Sequence, residues 1–389
     1  MKARILALAL LAGALLAAPV AAFDFGLDVL NVSSFSYESE WSFSQTDRAT
    51  LWLSLPVSPS SSIYASGLYE FTASFGPGGY TMVPWRLDLG RTEWEGLSTG
   101  AFGPATSFRW SVGRIPLQDF SGRVVSSLAD GFLVEGSKGN FSARLAGAYA
   151  GLLSKNDARI LIDADDAVRW ADQDEYFAPS RALAGMGLRF VEPVEGMDLG
   201  FDAWAQFDLG PDGLPTHTQY FEPYLDGRLG RGFRWRAWYI LETGQDPDFF
   251  SSMAAGGRGR WSWPELGGLR LTGSLFWASA SSGELRQFSP LSTSLVGGVA
   301  PMTFADVTVL SADMAVSPSD WIDLGFNLSV FGRGDLGATD PFTGIEAALD
   351  LVMAPVSDFN VNLSGGLYAP FVAGLPLRWL GTLTATLEL

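Results

Sequence analysis

The amino-acid sequence predicts an all-β chain that closes a transmembrane antiparallel up-and-down barrel of about 18 strands. Three observations lead there. Segments of about ten residues alternate between apolar and polar side chains, as in "WIDLGFNLSVF" from Trp321 and "FNVNLSGGLY" from Phe359. Hydrophobic residues make up 47% of the chain, yet after Ala22 no apolar run approaches the roughly 20 residues that a spanning helix requires. Short corners alternate along the chain with longer, more polar connections.

The first segment, "MKARILALALLAGALLAAPVAA", has the form of a cleaved secretory signal peptide covering residues 1–22. Lys2 and Arg4 supply the positive start, Ile5 to Leu16 the apolar stretch, and Val20-Ala21-Ala22 the small-residue cleavage site. The mature chain, 23–389, then reads as a single barrel domain. It has no cysteine, which excludes disulfides, thiolate chemistry and a lipid anchor on an N-terminal cysteine. A formal charge of −17 argues against nucleic acid as a partner and suits solvated loops.

In the alternating segments, Ile322, Leu324, Phe326, Leu328 and Val330 share one face, while Asp323, Gly325, Asn327 and Ser329 share the other. A tilted membrane strand needs about 9–11 residues, so each segment can cross with one face to lipid and one to the interior. The segments are separated by corners such as "SPSD" at Ser317 and "APVSD" at Ala354, with looser copies at Glu192 and Pro56. Short corners fall at 56–61, 136–139, 192–196, 230–232, 264–268, 317–320 and 354–358, with a longer one at 93–104. Longer connections fall near 34–46, 74–81, 116–128, 154–180, 209–218, 244–255, 281–302, 332–343 and 370–378. Eight short turns and two termini on one side give 18 strands, or 16 if the weak candidates at 129–135 and 256–263 fail. The last segment alternates to Leu389 and is expected to pair with the first strand, 23–32, leaving no open edge.

Parity assigns Arg86, Arg109, Arg144, Arg189, Arg234, Arg236 and Arg270 to the interior and Arg91 to the lipid side near a turn. Trp321 and Phe359 follow turns directly, where an aromatic girdle belongs. The pore-lining charges are then uneven. Arg86, Arg109, Arg144 and Arg189 make one basic wall; Asp313, Asp323, Glu346, Asp350 and Glu388, with Asp24 and Asp28 after closure, make an acidic one. Asp198, Asp202, Glu222, Asp226 and Arg228 are mixed between them. Such a transverse field orients polar solutes. The alternative is that these charges pair across neighbouring strands and only keep the interior wet.

The architecture resembles outer-membrane β-barrels of the porin kind across 23–389, and the proline-marked turns are similar to those of large spirochaete barrels. It departs from the common pattern in ending on Leu389 instead of Phe or Trp. The resemblance implies residence in the outer membrane, with the lipid bilayer and small hydrophilic solutes or ions as partners and room for a homo-oligomer. It also implies that the loop "GRIPLQDFSGRVVSSLADG" folds inward, placing Arg114, Asp119, Arg123 and Asp130 at a constriction. A plain external loop is the alternative there.

Catalysis has little support. The single histidine, His217, lies in a loop near Asp212 without a serine partner, and no phosphate-cradling motif or cofactor site is present. Asp163, Asp165, Asp166, Asp172, Asp174 and Glu175 are acidic enough to attract Ca²⁺ but lack EF-hand spacing, so no metal site is expected. Two functions fit: a passive diffusion pore, or a closed structural or adhesin barrel whose external loops bind a partner. A transporter of hydrophobic compounds would need a plug domain, and after Phe23 no long N-terminal segment supplies one.

Overall fold

A computed structural model describes residues 23–389 except 101–102, 161–165, 167–169, 173–174, 211–216, 231, 247, 282–284, 293 and 336. The signal-peptide residues therefore lie outside the described residues. The wall begins with β1 (Asp24–Tyr37), β2 (Trp41–Ser58), β3 (Ser61–Gly76), β4 (Gly79–Thr99), β5 (Thr106–Gln118) and β6 (Ser126–Lys138). It continues through β7 (Phe141–Tyr149), β8 (Arg181–Val194), β9 (Met197–Asp208), β10 (His217–Leu229), β11 (Phe233–Asp246), β12 (Asp248–Trp263) and β13 (Leu269–Ala278). A small separate hairpin follows, β14 (Leu295–Val296) and β15 (Met302–Thr303). The wall resumes with β16 (Val307–Ser319), β17 (Ile322–Gly332), β18 (Phe342–Val356), β19 (Phe359–Pro370) and β20 (Arg378–Glu388).

These form one 18-stranded antiparallel sheet in which β1 pairs with both β2 and β20. Register runs from Asp28 opposite Glu388 to Tyr37 opposite Trp379, and Leu27 and Leu389 exchange two backbone hydrogen bonds of 2.9 Å. Both weak candidates are full strands: β6 covers 129–135 and β12 covers 256–263.

The parity works as the alternation requires. Leu324, Phe326 and Leu328 face outward and exposed, as do Leu51, Leu87 and Leu349, the last at 63%. Their polar neighbours face in, where Asn327 donates to Asp313 and Ser329 donates to Asn327. An exposed apolar exterior around a polar interior suits lipid as the outer solvent. Aromatic pairs sit outside near the short turns, including Phe141–Phe190 and Phe233–Trp261, both with ring centroids 5.0 Å apart. Tyr37, Trp41, Phe75 and Trp379 mark the opposite rim.

The repeated proline corners now have a local cause. Register shifts flank Pro56, Pro193, Pro318 and Pro355, each just before its turn. Proline has no N–H to give the ladder, so the strand bulges there and then reverses.

Two expectations are corrected. Three of the longer connections are shorter than expected, because strands continue through most of 34–46, 74–81 and 244–255; the first two leave turns of only a few residues at 38–40 and 77–78, and β11 and β12 extend to Asp246 and from Asp248. Arg91 points inward. An irregularity opposite Ala65–Gly67 inserts a residue into β4 and reverses its parity, so that Arg91 pairs with buried Glu93 and lies 5.2 Å from the Tyr64 ring.

Candidate functional site

The interior is shaped by loops that fold into it. Strand β5 starts the process. Gly113 has φ 126°, and beyond Arg114 the strand no longer pairs with β4. Ile115 and Leu117 instead point into the barrel and are buried. The loop 119–125 that follows is organised by Asp119, whose carboxylate accepts N–H groups of Arg123, Val124 and Val125 at 3.3, 3.0 and 2.6 Å. The barrel wall then holds the loop. Asp202 on β9 accepts the Phe120 N–H at 2.8 Å, and Glu222 on β10 accepts the Ser121 N–H at 3.1 Å. The Phe120 ring stacks on Tyr224 with centroids 3.6 Å apart.

A second segment, 279–306, enters from the other side. Glu242 on β11 accepts the Ser289 N–H at 2.9 Å and a hydroxyl proton from Ser252. Glu346 on β18 accepts three amides, from Gly298, Val299 and Ala300, at 2.8, 2.9 and 3.1 Å. The two inward segments meet where the Ser292 N–H donates to Val124 O at 3.0 Å and Ser126 N–H donates to Ser292 Oγ at 2.7 Å. Val124, Phe288, Leu291 and Phe304 are buried between them and wall residues such as Tyr220, Trp238 and Phe331. Burying wall carboxylates under loop amides gives each of those amides a charged acceptor in place of water, although Glu222 Oε2 is left without a donor among the described residues.

The residues expected at the constriction divide into two pairs. Asp119 and Arg123 are in the inward loop. Arg123 lies 4.7 Å from the Phe276 ring and 5.1 Å from Phe304, and burial lowers its pKa against the pull of Asp119. Arg114 and Asp130 pair at 3.0 Å at the seam where β5 leaves the wall, and Arg114 also donates to Leu89 O and Leu152 O. That pair fastens the 150–180 segment to the wall.

Each arginine of the expected basic wall has a carboxylate partner. Arg86 bridges Glu70 and Asp157 at 3.2 and 2.8 Å. Arg109 meets Glu95 at 2.9 Å, Arg144 meets Asp202 at 2.5 Å, and Arg189 meets Asp198 at 2.5 Å. On the acidic side, Asp313 accepts from Asn327 at 2.6 Å, Asp323 lies 3.5 Å from Arg270, and Glu346 is only 2% exposed. Asp350 lines open space.

The cations that remain solvated lie elsewhere. On the inward faces of β10, β11 and β12, Arg228 is opposite Arg234, Arg234 opposite Arg260, and Arg236 opposite Arg258. All five are exposed, but Arg236 meets Asp226 at 3.3 Å and Arg228 lies 3.8 Å from Glu192, which leaves Arg234, Arg258 and Arg260 with no carboxylate partner among the described residues. Like charges directly opposite one another are unfavourable in a sheet unless water or an anion separates them. Arg258 and Arg260 are not among the arginines that parity assigns to the interior above, although the alternation of "GRGRW" puts both on one face.

Two cavities flank the inward loops. One of about 410 Å³ is lined by Arg109, Arg144, Arg189, Glu135, Phe120 and Tyr224. The other, about 350 Å³, lies under Arg123 against Asp313, Asn327, Asp350 and Ser364.

His217 sits at a strand end, where its Nδ1 accepts the Asp208 N–H at 3.3 Å; Asp212 lies outside the described residues. Of the acidic run, Asp163, Asp165 and Asp174 also lie outside them, Asp166 pairs with Arg181, and the Asp172 carbonyl accepts from Lys155.

No family model and no curated protein matches the sequence. Solved structures do match by shape. Pseudomonas aeruginosa OpdL superposes with a TM-score of 0.62 at 11% identity, covering 95% of this chain and 100% of that one. Pseudomonas aeruginosa OccK7 (OpdD) gives 0.61 at 11%, covering 95% and 99%, and OccK5 (OpdH) 0.57 at 8%, covering 94% and 98%. The fold is an outer-membrane porin-type barrel.

Proposed function

We propose that this chain is exported by its N-terminal leader, resides in the outer membrane, and forms a channel for passive diffusion of ions and small hydrophilic solutes. The observation that carries this is the exposed arginine row on β10–β12, with Asp313 two strands along the same wall opposite Thr272, in a lumen narrowed by two tethered loops. A barrel closed only for structure would have no use for like charges held opposite each other in water. The adhesin alternative has less surface to work with, since two connections at the long-loop rim are short hairpins at 38–40 and 77–78, and 119–125 and 279–306 turn inward.

The test is single-channel recording of the refolded mature protein in a planar bilayer. Discrete current steps are the expected result. A folded, heat-modifiable barrel that passes no current would overturn the reading and favour the closed barrel.

A further inference from the structure

Glu222 differs from the other carboxylates that hold the inward loops. It is only 1% exposed, its Oε1 accepts the Ser121 N–H at 3.1 Å, and its Oε2 has no donor among the described residues. Across the β9–β10 register it stands opposite Asp202, and Asp119 of the loop meets it side chain to side chain. Ser121 lies between the last two, giving its N–H to Glu222 and its hydroxyl proton to Asp119 at 2.5 Å. Three buried carboxyl groups therefore share a space closed to water.

Their donors show which of them are charged. Asp119 accepts from Ser121 Oγ and from the N–H groups of Arg123, Val124 and Val125, two donors to each oxygen. Asp202 accepts the Arg144 guanidinium and the Phe120 N–H on one oxygen. Nothing comparable reaches Glu222. Beside it on β10, Tyr220 directs its hydroxyl to Ser289 O and Glu242, and Tyr224 packs on Phe120. By register β11 brings buried Ile240 to this level, with Glu242 beyond it. Arg236 lies over the Phe120 ring at 4.8 Å and Arg123 over Phe276 at 4.7 Å. A third negative charge would stand opposite a like charge, with neither water nor a cation to offset it.

We propose that Glu222 is a positioning residue for the constriction and acts as a neutral acid, its Oε2 carrying a proton that it donates to Asp119, which fastens the loop 119–125 to β10. The hydrogen bond forms between an acid and a carboxylate, the strong charge-assisted kind. A bound Ca²⁺ is a poor substitute, because it takes six to eight oxygens and both Asp119 oxygens are already occupied by donors. Since docking holds the proton, the fastening is present while Glu222 is protonated and is lost as rising pH removes that proton.

The test is infrared difference spectroscopy with hydrogen exchange on the folded barrel in detergent. The inference refines the pore reading, but neither measurement needs conduction, so a barrel that passes no current would sink the pore and leave this question open to the same test. At neutral pH the native protein is expected to show a carboxylic-acid carbonyl band that Glu222→Gln lacks. The glutamine amide replaces the acid as donor to Asp119, so in E222Q the Val124 and Val125 N–H groups should stay protected from neutral to alkaline pH. In the native protein their exchange, corrected for base catalysis, should accelerate on the order of tenfold as the band disappears, as for loss of one hydrogen bond to a charged group. Identical spectra for native and E222Q, faster loop exchange in E222Q than in native at neutral pH, or native exchange that follows Na⁺ or Ca²⁺ concentration instead of pH would overturn the proposal.

Discussion

Single carboxylates decide how much of the lumen is filled. Glu346 takes three backbone amides from the 279–306 segment and is almost fully buried. Glu346→Ala leaves those amides without an acceptor, a loss on the order of 3 kcal/mol in loop docking. The expected outcome is faster native-state proteolysis within that segment and a larger unit conductance, with the barrel itself still resistant; unchanged protection would refute it. Asp157 is the second case. Its side chain, in the 150–180 loop, reaches Arg86 on the wall. Burial, then its contact with Asp88, push its pKa from 3.8 to about 6, with Arg86 opposing and Glu70 adding to the rise. Asp88 Oδ2 and Asp157 Oδ2 have no donor, so the two carboxyls meet favourably only when a proton lies between them. Because the docked value lies above the free one of 3.8, docking is strongest below the free value and weakens as pH rises from there to about 6, above which the loss is complete. Hydrogen exchange of the loop should accelerate across that step in the native protein and lose the step in Asp157→Asn. None of these loop anchors was visible from alternation, which assigns Glu346 to the interior but cannot say that a distant segment folds back to use it.

Elements were far more legible than contacts. Period-two patterning located all 18 wall strands because lipid outside and water inside impose opposite demands on successive residues. It failed where that contrast fades. The strands through 34–46 and 244–255 extend towards the long-loop rim, where neither face must be apolar, so their polar residues read as loop. It failed again at β4, where an inserted residue exchanged the faces and sent Arg91 inward. The departure of β5 from the wall rests on one residue. At φ 126° a side chain is strained, and a Cβ on Gly113 would lie 2.3 Å from Thr92 O. Gly113→Val should therefore destabilise the bend by more than about 1–3 kcal/mol. It is expected to lower the temperature at which the folded band converts to the unfolded one. A transition equal to that of the unaltered protein would mean that the bend does not depend on glycine.

Across the whole molecule, net charge is a poor guide to the field that a solute meets. The chain carries −17, but Asp202, Glu222, Glu242 and Glu346 are spent on loop amides and Glu70, Glu95 and Asp198 on arginines. What remains without an ionic partner among the described residues is Arg234, Arg258 and Arg260 on β11 and β12, with Asp313 and Asp350 lining open space further along the wall. Charges that face water in a narrow lumen act on a passing ion, whereas paired ones largely cancel at distances beyond about 10 Å. The two strips should therefore move selectivity in opposite directions. Arg258→Gln with Arg260→Gln should shift the reversal potential in a salt gradient towards cations, and Asp313→Asn with Asp350→Asn should shift it towards anions. Arg109→Gln, which removes a paired arginine, leaves Glu95 exposed and so should also move it towards cations, but by less than the Arg258 and Arg260 pair. If Arg109→Gln had the larger effect, the ion path would run along the β5–β8 wall instead of the β10–β12 strip.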